Sequence, residues 1–277
     1  MPEYRAVFTD LDGTLLNEQG KITPETLDVL ARLQARGIPL FVATGRSVCA
    51  TKAALQQIDL RTPFVCYNGA VVYDPVSDEW LRHEKIDDHV TEELLAICES
   101  HALFYLVFHE DAKHTLPPRY DYQTAFYDRL ENIRHVEAFD ELPRRSVTKF
   151  SIFTADGDGD RAILGYLEQR EDEHYVERFH ISTIPGFREF SFHSTDVHAR
   201  AGGKGAGVRF VMERHGFARE EIVAIGDHRN DVSMLEVAGL GVAMNDAPPE
   251  LLAHADEIID HEAGNGVARL LTRLFDL

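Results

Sequence analysis

Short apolar runs that each stop at an Asp- or Gly-bearing turn, and then give way to a helical pattern, constrain this chain more than any other feature. Residues 5–9 (RAVFT) read as a buried strand that ends at an Asp-rich turn. Pro24 then opens a stretch whose apolar residues Leu27, Leu30, Ala31 and Leu33 recur at helical spacing, and Gly37 closes it. Residues 38–43 (IPLFVA) give a second buried strand, followed by Thr44-Gly45-Arg46 and a further helical pattern from Ser47. Residues 64–67 give a third, which ends at the turn signal Asn68-Gly69. This alternation predicts an α/β fold with a Rossmann-like, doubly wound parallel sheet as its core. Binding sites in such sheets lie outside the carboxyl ends of the strands.

The pattern is interrupted and then resumes. From about residue 83 to about residue 192 the chain is richer in aromatics and histidine. Residues 149–154 (KFSIFT) alternate polar and apolar, as in a sheet with one solvated face, and a helical stretch over 160–169 follows. The C-terminal third returns to the α/β alternation. A helix is expected over 204–215 ending at Gly216, a strand over 222–225, a helix over 231–238 and a strand over 240–244. Pro248 opens another helix, and a last one ends near Phe275. The expected organisation is a core built from residues 1–82 and 193–277, with an inserted α+β domain over 83–192. A chain of 277 residues is long enough for one large domain carrying a smaller one.

Charge narrows the partners. With 28 basic and 47 acidic residues the formal net charge is -19. Such a chain repels nucleic acid and anionic membrane surfaces, so neither is an expected partner. No apolar run is long enough to span a membrane. Cys49, Cys66 and Cys98 are odd in number and scattered, which argues against a disulfide framework and for a reducing compartment. Met1-Pro2-Glu3-Tyr4-Arg5 lacks the charged-then-apolar pattern of a signal peptide, so a cytoplasmic location is expected. Oligomeric state is not legible.

Four constellations hold the chemistry. Asp10-Leu11-Asp12-Gly13-Thr14 leaves the first strand with two carboxylates two residues apart and a glycine that permits a sharp turn. An ordinary Asp/Gly turn would look similar, but these four fixed letters arise by chance only on the order of a few times in a thousand chains of this length. Gly226-Asp227-His228-Arg229-Asn230-Asp231 follows another strand. Asn230 alone would read as a helix cap, and a cap has no need of Asp227. Thr44-Gly45-Arg46 offers a hydroxyl and backbone N–H groups at a helix start, where a simple cap is the plainer reading. Gly202-Gly203-Lys204-Gly205 also begins a helix. It is not a P-loop, because His198 stands six residues before Lys204 and Gly205 replaces Ser/Thr. Together the four supply a nucleophile, an acid/base, a metal ligand, a hydroxyl and a cation. That is the inventory of phosphoryl transfer through a covalent intermediate.

On these residues the sequence resembles the haloacid-dehalogenase-like superfamily, and within it the Cof-type sugar-phosphatase branch. Asp10-Leu11-Asp12-Gly13-Thr14-Leu15 matches the first family motif, Thr44-Gly45-Arg46 the second, Lys204 the third and the run from Gly226 to Asp231 the fourth. Tyr67-Asn68-Gly69-Ala70 matches a further Cof-type signature. His228 and Arg229 are bulkier than is common inside the fourth motif. The resemblance implies a phosphatase that hydrolyses a small phosphorylated metabolite, by default a sugar phosphate, with Mg2+ as cofactor. It implies Asp10 as nucleophile and metal ligand, and Asp12 as general acid/base with its backbone carbonyl on the metal. Asp227 would be the third protein ligand, and Asp231 a ligand directly or through water. Thr44, Gly45, Arg46, Lys204 and Asn230 would hold the substrate. It also implies that the middle segment is a mobile cap, and Lys113, Arg119, Tyr120 and Tyr122 are candidates there for substrate selection. A phosphomutase on the same scaffold and a non-catalytic metabolite-binding module are the alternatives. Asp156-Gly157-Asp158-Gly159-Asp160 imitates the start of a calcium loop, but Leu167 stands where its bidentate Glu belongs. The fourteen histidines show no metal-ligand spacing.

Overall fold

A computed structural model of the chain describes residues 4–130, 132–184, 187–261 and 265–277; the side chain of Tyr122 also lies outside the described residues. The chain opens with β1 (Ala6–Thr9), α1 (Pro24–Ala35), β2 (Leu40–Val42), α2 (Val48–Ala54), β3 (Phe64–Cys66), β4 (Val71–Asp74) and β5 (Glu79–His83). There follow α3 (Asp88–Ser100), β6 (Phe104–His109), β7 (Ala112–Thr115), α4 (Asp121–Tyr127), β8 (Ile133–His135), β9 (Lys149–Thr154), α5 (Asp158–Glu168), β10 (His174–His180) and β11 (His193–Ala199). The chain closes with α6 (Lys204–His215), β12 (Ile222–Gly226), α7 (Val232–Val237), β13 (Leu240–Met244), α8 (Pro249–Leu252), β14 (Glu257–Ile259) and α9 (Gly266–Phe275).

Two compact units result, Met1–His83 with Gly203–Leu277, and Glu84–Gly202. In the first, five parallel strands run in the order β14-β13-β12-β1-β2. Residues of β1 alternate between the two faces of this sheet. Ala6 and Phe8 join Phe41 and Ala43 in one apolar cluster with Val208, Val211 and Met212 of α6 and Met234 and Leu235 of α7. Helices α1 and α9 pack on each other and contribute nothing to that cluster. Local signals fix the ends: the Thr23 hydroxyl accepts from the Thr26 N–H at the start of α1, and Gly216 closes α6 in the left-handed conformation.

The third strand does not continue the parallel sheet as the alternation predicts. It touches that sheet through the single bridge Ala43–Val65 and instead begins an antiparallel ribbon, β3-β4-β5. The cause is the turn at Asn68-Gly69, where three consecutive residues have positive φ and reverse the chain at once.

The second unit is a six-stranded sheet, β10-β11-β9-β6-β7-β8, antiparallel except for the β7–β8 pair. Helices α3 and α5 pack together beside it, and Tyr105, Val107, Phe150, Ile152 and Val197 form a common core with their apolar residues. The expected end of the inserted domain at residue 192 moves to Gly202. Residues 193–199 form β11, paired with both β9 and β10 and central to this second sheet. The expected solvated face of 149–154 is also absent, since β9 is buried on both sides. The polar side is used internally: Lys149 Nζ donates to Asp196 at 2.8 Å, and the Ser194 hydroxyl donates to the same carboxylate at 3.0 Å. The calcium-loop imitation is the lead-in to α5, as its missing ligand requires. No disulfide joins the cysteines, and no helix is long and apolar enough to cross a membrane, among the described residues.

Candidate active site

The carboxyl ends of β1 and β12 meet side by side in the parallel sheet, and the site is built on that pairing. The Asp10 N–H donates to the Ile225 carbonyl at 2.9 Å, which continues the ladder one residue beyond β1. The chain then folds back, with the N–H groups of Leu15 and Leu16 both donating to the Leu11 carbonyl. Gly13 makes this turn at φ +85°, and a Cβ there would stand 2.1 Å from Asp227 Oδ2. Glycine is therefore required both for the conformation and for the approach of Asp227. The Thr14 hydroxyl donates to Asp227 Oδ1 at 3.1 Å.

The fourth motif is folded around Asp231. Its Oδ2 accepts the N–H groups of Asp227 and His228, each at 3.0 Å, and Gly226 leaves no space for a Cβ beside its carboxylate. Its Oδ1 accepts from Lys204 Nζ at 2.6 Å, and Asp10 Oδ1 accepts from the same ammonium at 2.6 Å. Lys204 is 1% exposed and Asp231 is fully buried. Carboxylate oxygens of Asp10, Asp227 and Asp231 all lie within 4.8 Å of one another.

Three carboxylates around one ammonium leave an excess of negative charge in a desolvated place. Burial raises the Asp10 carboxyl to about 7; Lys204 opposes this, while Asp231 and Asp12 reinforce it. Burial, followed by the charges of Asp10 and Asp231, pushes Asp227 up to about 9. Burial alone would lower the Lys204 ammonium, but Asp10 and Asp231 outweigh it and hold it above its ordinary range. The donor set is all oxygen, closely spaced and short of positive charge, which fits a hard divalent cation.

The remaining motif residues are brought together in two further contacts. Arg46 forks onto Asp12, with Nε donating to Oδ2 at 2.7 Å and Nη2 to Oδ1. The bond to Asp12 raises the guanidinium above its usual range. Asp12 is outside the carboxylate cluster, and its side chain is about half exposed. Thr44 is buried at the end of β2, and its hydroxyl accepts the Arg46 N–H at 3.2 Å. Asn230 Nδ2 donates to Asn68 Oδ1 at 2.9 Å. The sequence pattern by itself assigns no role to Thr14 or Asn68. The signal for Asn68 was present, since Asn before Gly favours positive φ and both residues have it.

In the second unit, Arg119 is held by Glu99 at 2.6 Å, Lys113 lies opposite Phe108 in the β6–β7 pair, and Tyr120 is exposed just before α4. The side chain of Tyr122, the fourth residue singled out there, is outside the described residues.

The model of the haloacid dehalogenase-like hydrolases matches residues 7–271. The chain belongs to that family. Among its curated relatives is the pyridoxal phosphate phosphatase YbhA of Escherichia coli, 28% identical over 272 residues, with 96% of this chain and 97% of the relative covered. The 5-amino-6-(5-phospho-D-ribitylamino)uracil phosphatase YitU of Bacillus subtilis is 30% identical over 281 residues, covering 98% and 97%. Among solved structures, that of TM0651 from Thermotoga maritima superposes with a TM-score of 0.80 at 27% identity, over 98% of this chain and 97% of the other. The family expected from the motifs and the α/β core expected from the alternation of strands and helices are both those found.

Proposed function

We propose that the protein is a magnesium-dependent phosphatase that hydrolyses a small phosphorylated metabolite, a sugar phosphate or a comparable phosphomonoester, through an aspartyl-phosphate on Asp10. The observation that carries this reading is the buried Asp10 carboxylate. It sits at the end of β1, tethered by Lys204 at 2.6 Å, with Asp227 and Asp231 converging on the same point. A structural carboxylate has no use for two further carboxylates beside it, since their charges raise its energy; a nucleophile that works beside a bound cation does.

Asp10 and Asp227 would hold Mg2+, with the backbone carbonyl of Asp12 as a third protein donor and Asp231 beside them. The ion offsets the repulsion between carboxylates and a phosphate dianion and draws charge off the phosphoryl oxygens. One Asp10 oxygen attacks phosphorus as the bond to the ester oxygen breaks, and Asp12 gives that leaving oxygen a proton. Asp12, now a carboxylate, takes a proton from water. The hydroxide attacks phosphorus, the bond from Asp10 to phosphorus breaks, and inorganic phosphate leaves. The Arg46 fork orients Asp12 and favours its carboxylate form, which suits the second transfer; in the first, one Asp12 oxygen leaves the fork to carry the proton. Lys204, Thr44 and Asn230 bind phosphoryl oxygens, and Asp231 anchors Lys204 through its 2.6 Å contact. The inserted unit, Glu84–Gly202, acts as the cap that selects the ester.

The test is release of inorganic phosphate from a panel of phosphorylated metabolites. The panel includes pyridoxal phosphate and 5-amino-6-(5-phospho-D-ribitylamino)uracil, for which two relatives are named. Turnover is expected with magnesium and is expected to vanish with EDTA. Full turnover in metal-free enzyme overturns the magnesium reading. Phosphate migration within a sugar phosphate, without release, makes the protein a mutase. Binding of a metabolite with no turnover of any ester makes it a binding module.

A further inference from the structure

The turn after β3 is an unusual piece of backbone. Tyr67, Asn68 and Gly69 have φ values of 50°, 49° and 90°, and Tyr67 and Asn68 are both buried. A bulky residue with positive φ is a strained one, so surrounding contacts must hold it. These contacts lead to three of the four motif loops. The Tyr67 N–H donates to the Arg46 carbonyl at 3.0 Å, and the Asn68 N–H to the Thr44 carbonyl at 3.1 Å. The Gly203 carbonyl, just before Lys204, lies so close to Gly69 that a Cβ on Gly69 would meet it at 2.0 Å. The Asn68 side chain accepts from Asn230 Nδ2 at 2.9 Å.

That last bond decides how the Asn230 carboxamide is turned. Its Oδ1 is buried and makes no hydrogen bond among the described residues. With the Asn68 oxygen turned toward it, a flipped Asn230 amide would set acceptor against acceptor. The orientation with Nδ2 on Asn68 uses one amide hydrogen and fixes the direction of the other. Gly45 makes room for this, since a Cβ there would stand 3.0 Å from Asn68 Oδ1.

We infer that Asn68 is a positioning residue for phosphoryl binding: its side-chain oxygen pins the Asn230 amide so that the second Nδ2 hydrogen is presented to a phosphoryl oxygen, and its backbone ties that amide to the Thr44 loop. The inference rests on the phosphatase reading above. It explains why a left-handed, buried turn is maintained beside the site, and why Gly45 follows Thr44.

The test separates side chain from backbone. Asn68→Gly removes the carboxamide and tolerates the same positive φ. Initial rates on 4-nitrophenyl phosphate, inhibition by inorganic phosphate, magnesium half-saturation and melting temperature are measured for wild type, Asn68→Gly, Asn230→Ala and the double variant. Asn68→Gly is expected to lower kcat/KM and weaken phosphate inhibition by about tenfold each, with magnesium half-saturation unchanged. In the Asn230→Ala background the same change is expected to cost less than about twofold, because the two residues act as one unit. Gly45→Ala, which pushes the carboxamide aside without altering either asparagine, is expected to give the same signature and serves if Asn68→Gly does not fold. Equal losses in both backgrounds, unchanged kinetics, or magnesium half-saturation that moves in step with kcat/KM would each overturn the inference. A wild-type enzyme inert on every phosphate ester would instead overturn the phosphatase reading itself.

Discussion

Lys204 is asked to neutralise two carboxylates at once, and a third, Asp227, is left to Thr14 and the solvent-poor interior. The Asp10 carboxyl, raised to about 7 from an ordinary value near 3.8, therefore costs metal-free protein stability as pH rises between those two values. Changing Asp10→Asn keeps an oxygen for the Lys204 contact, removes one charge from the cluster, and replaces a nucleophile with a poor one. Turnover is expected to fall at least about a thousandfold. In metal-free protein at pH 8 the variant is expected to melt no lower than wild type. Most of the wild-type rate surviving on freshly purified variant would remove Asp10 from the chemistry. Gly13 offers a second test on the opposite side of the cluster. In Gly13→Ala the new methyl must displace the Asp227 carboxylate that lies 2.1 Å from its position. Magnesium half-saturation is expected to rise about 10- to 100-fold, as when a group that orients a ligand is lost. A half-saturation within twofold of wild type would mean that Asp227 does not hold the ion.

Single elements show what the sequence made legible. Helix α6 runs over residues 204–215 and ends at Gly216, and β13 runs over 240–244, both as the pattern and the glycine signal require. The motif residues Asp10, Asp227, Asp231 and Lys204 could be placed together because each stands at the end of a strand or the start of a helix. Contacts between loops were not legible: the Arg46 fork on Asp12 and the Asn68–Asn230 bond join residues 34 and 162 positions apart. The sequence pattern does not predict strand β11. Its sequence HSTDVHA offers only Val197 and Ala199 as apolar residues, yet Ser194, Thr195, Asp196 and His198 are all buried. A pattern argument assigns such residues to solvent, whereas here Lys149 and the Ser194 hydroxyl donate to Asp196, and the Thr195 hydroxyl accepts from Arg178. That arrangement has a cost in acid. Burial, and then the charge of Lys149, pushes the His198 imidazole down to about 3. The folded value lies below the unfolded one, so stability is lost as pH falls below about 6.5. By pH 5 the accumulated loss, relative to neutral and higher pH, is about 2 kcal/mol. Hydrogen exchange of β10 and β11 amides, corrected for intrinsic rates, is expected to accelerate accordingly at pH 5 and to depend less on pH in His198→Gln. Equal pH dependence in the two proteins would show that another group titrates.

At the scale of the whole molecule, a net charge of -19 surrounds a site that must admit a phosphate dianion. Of the cations beside the carboxylate cluster among the described residues, Lys204 is buried and already paired, and Arg46 is engaged by Asp12. Far from the site an approaching substrate meets the net field; near it, Lys204 and, on the reading proposed above, the metal. Screening separates these ranges, because the Debye length is about 30 Å at 0.01 M ionic strength and about 8 Å at 0.15 M. Added salt in that range removes long-range repulsion while leaving contacts inside the site largely intact. At fixed free magnesium, KM for a dianionic ester is therefore expected to fall by about two- to fivefold between these two ionic strengths, with kcat unchanged. For a zwitterionic ester of net charge -1 the logarithm of the effect is expected to be about half as large, because the interaction energy scales with substrate charge. The measurement is a pair of saturation curves for each ester. A KM that rises with salt for the dianion would show that the cations of the site, and not the acidic surface, govern the encounter.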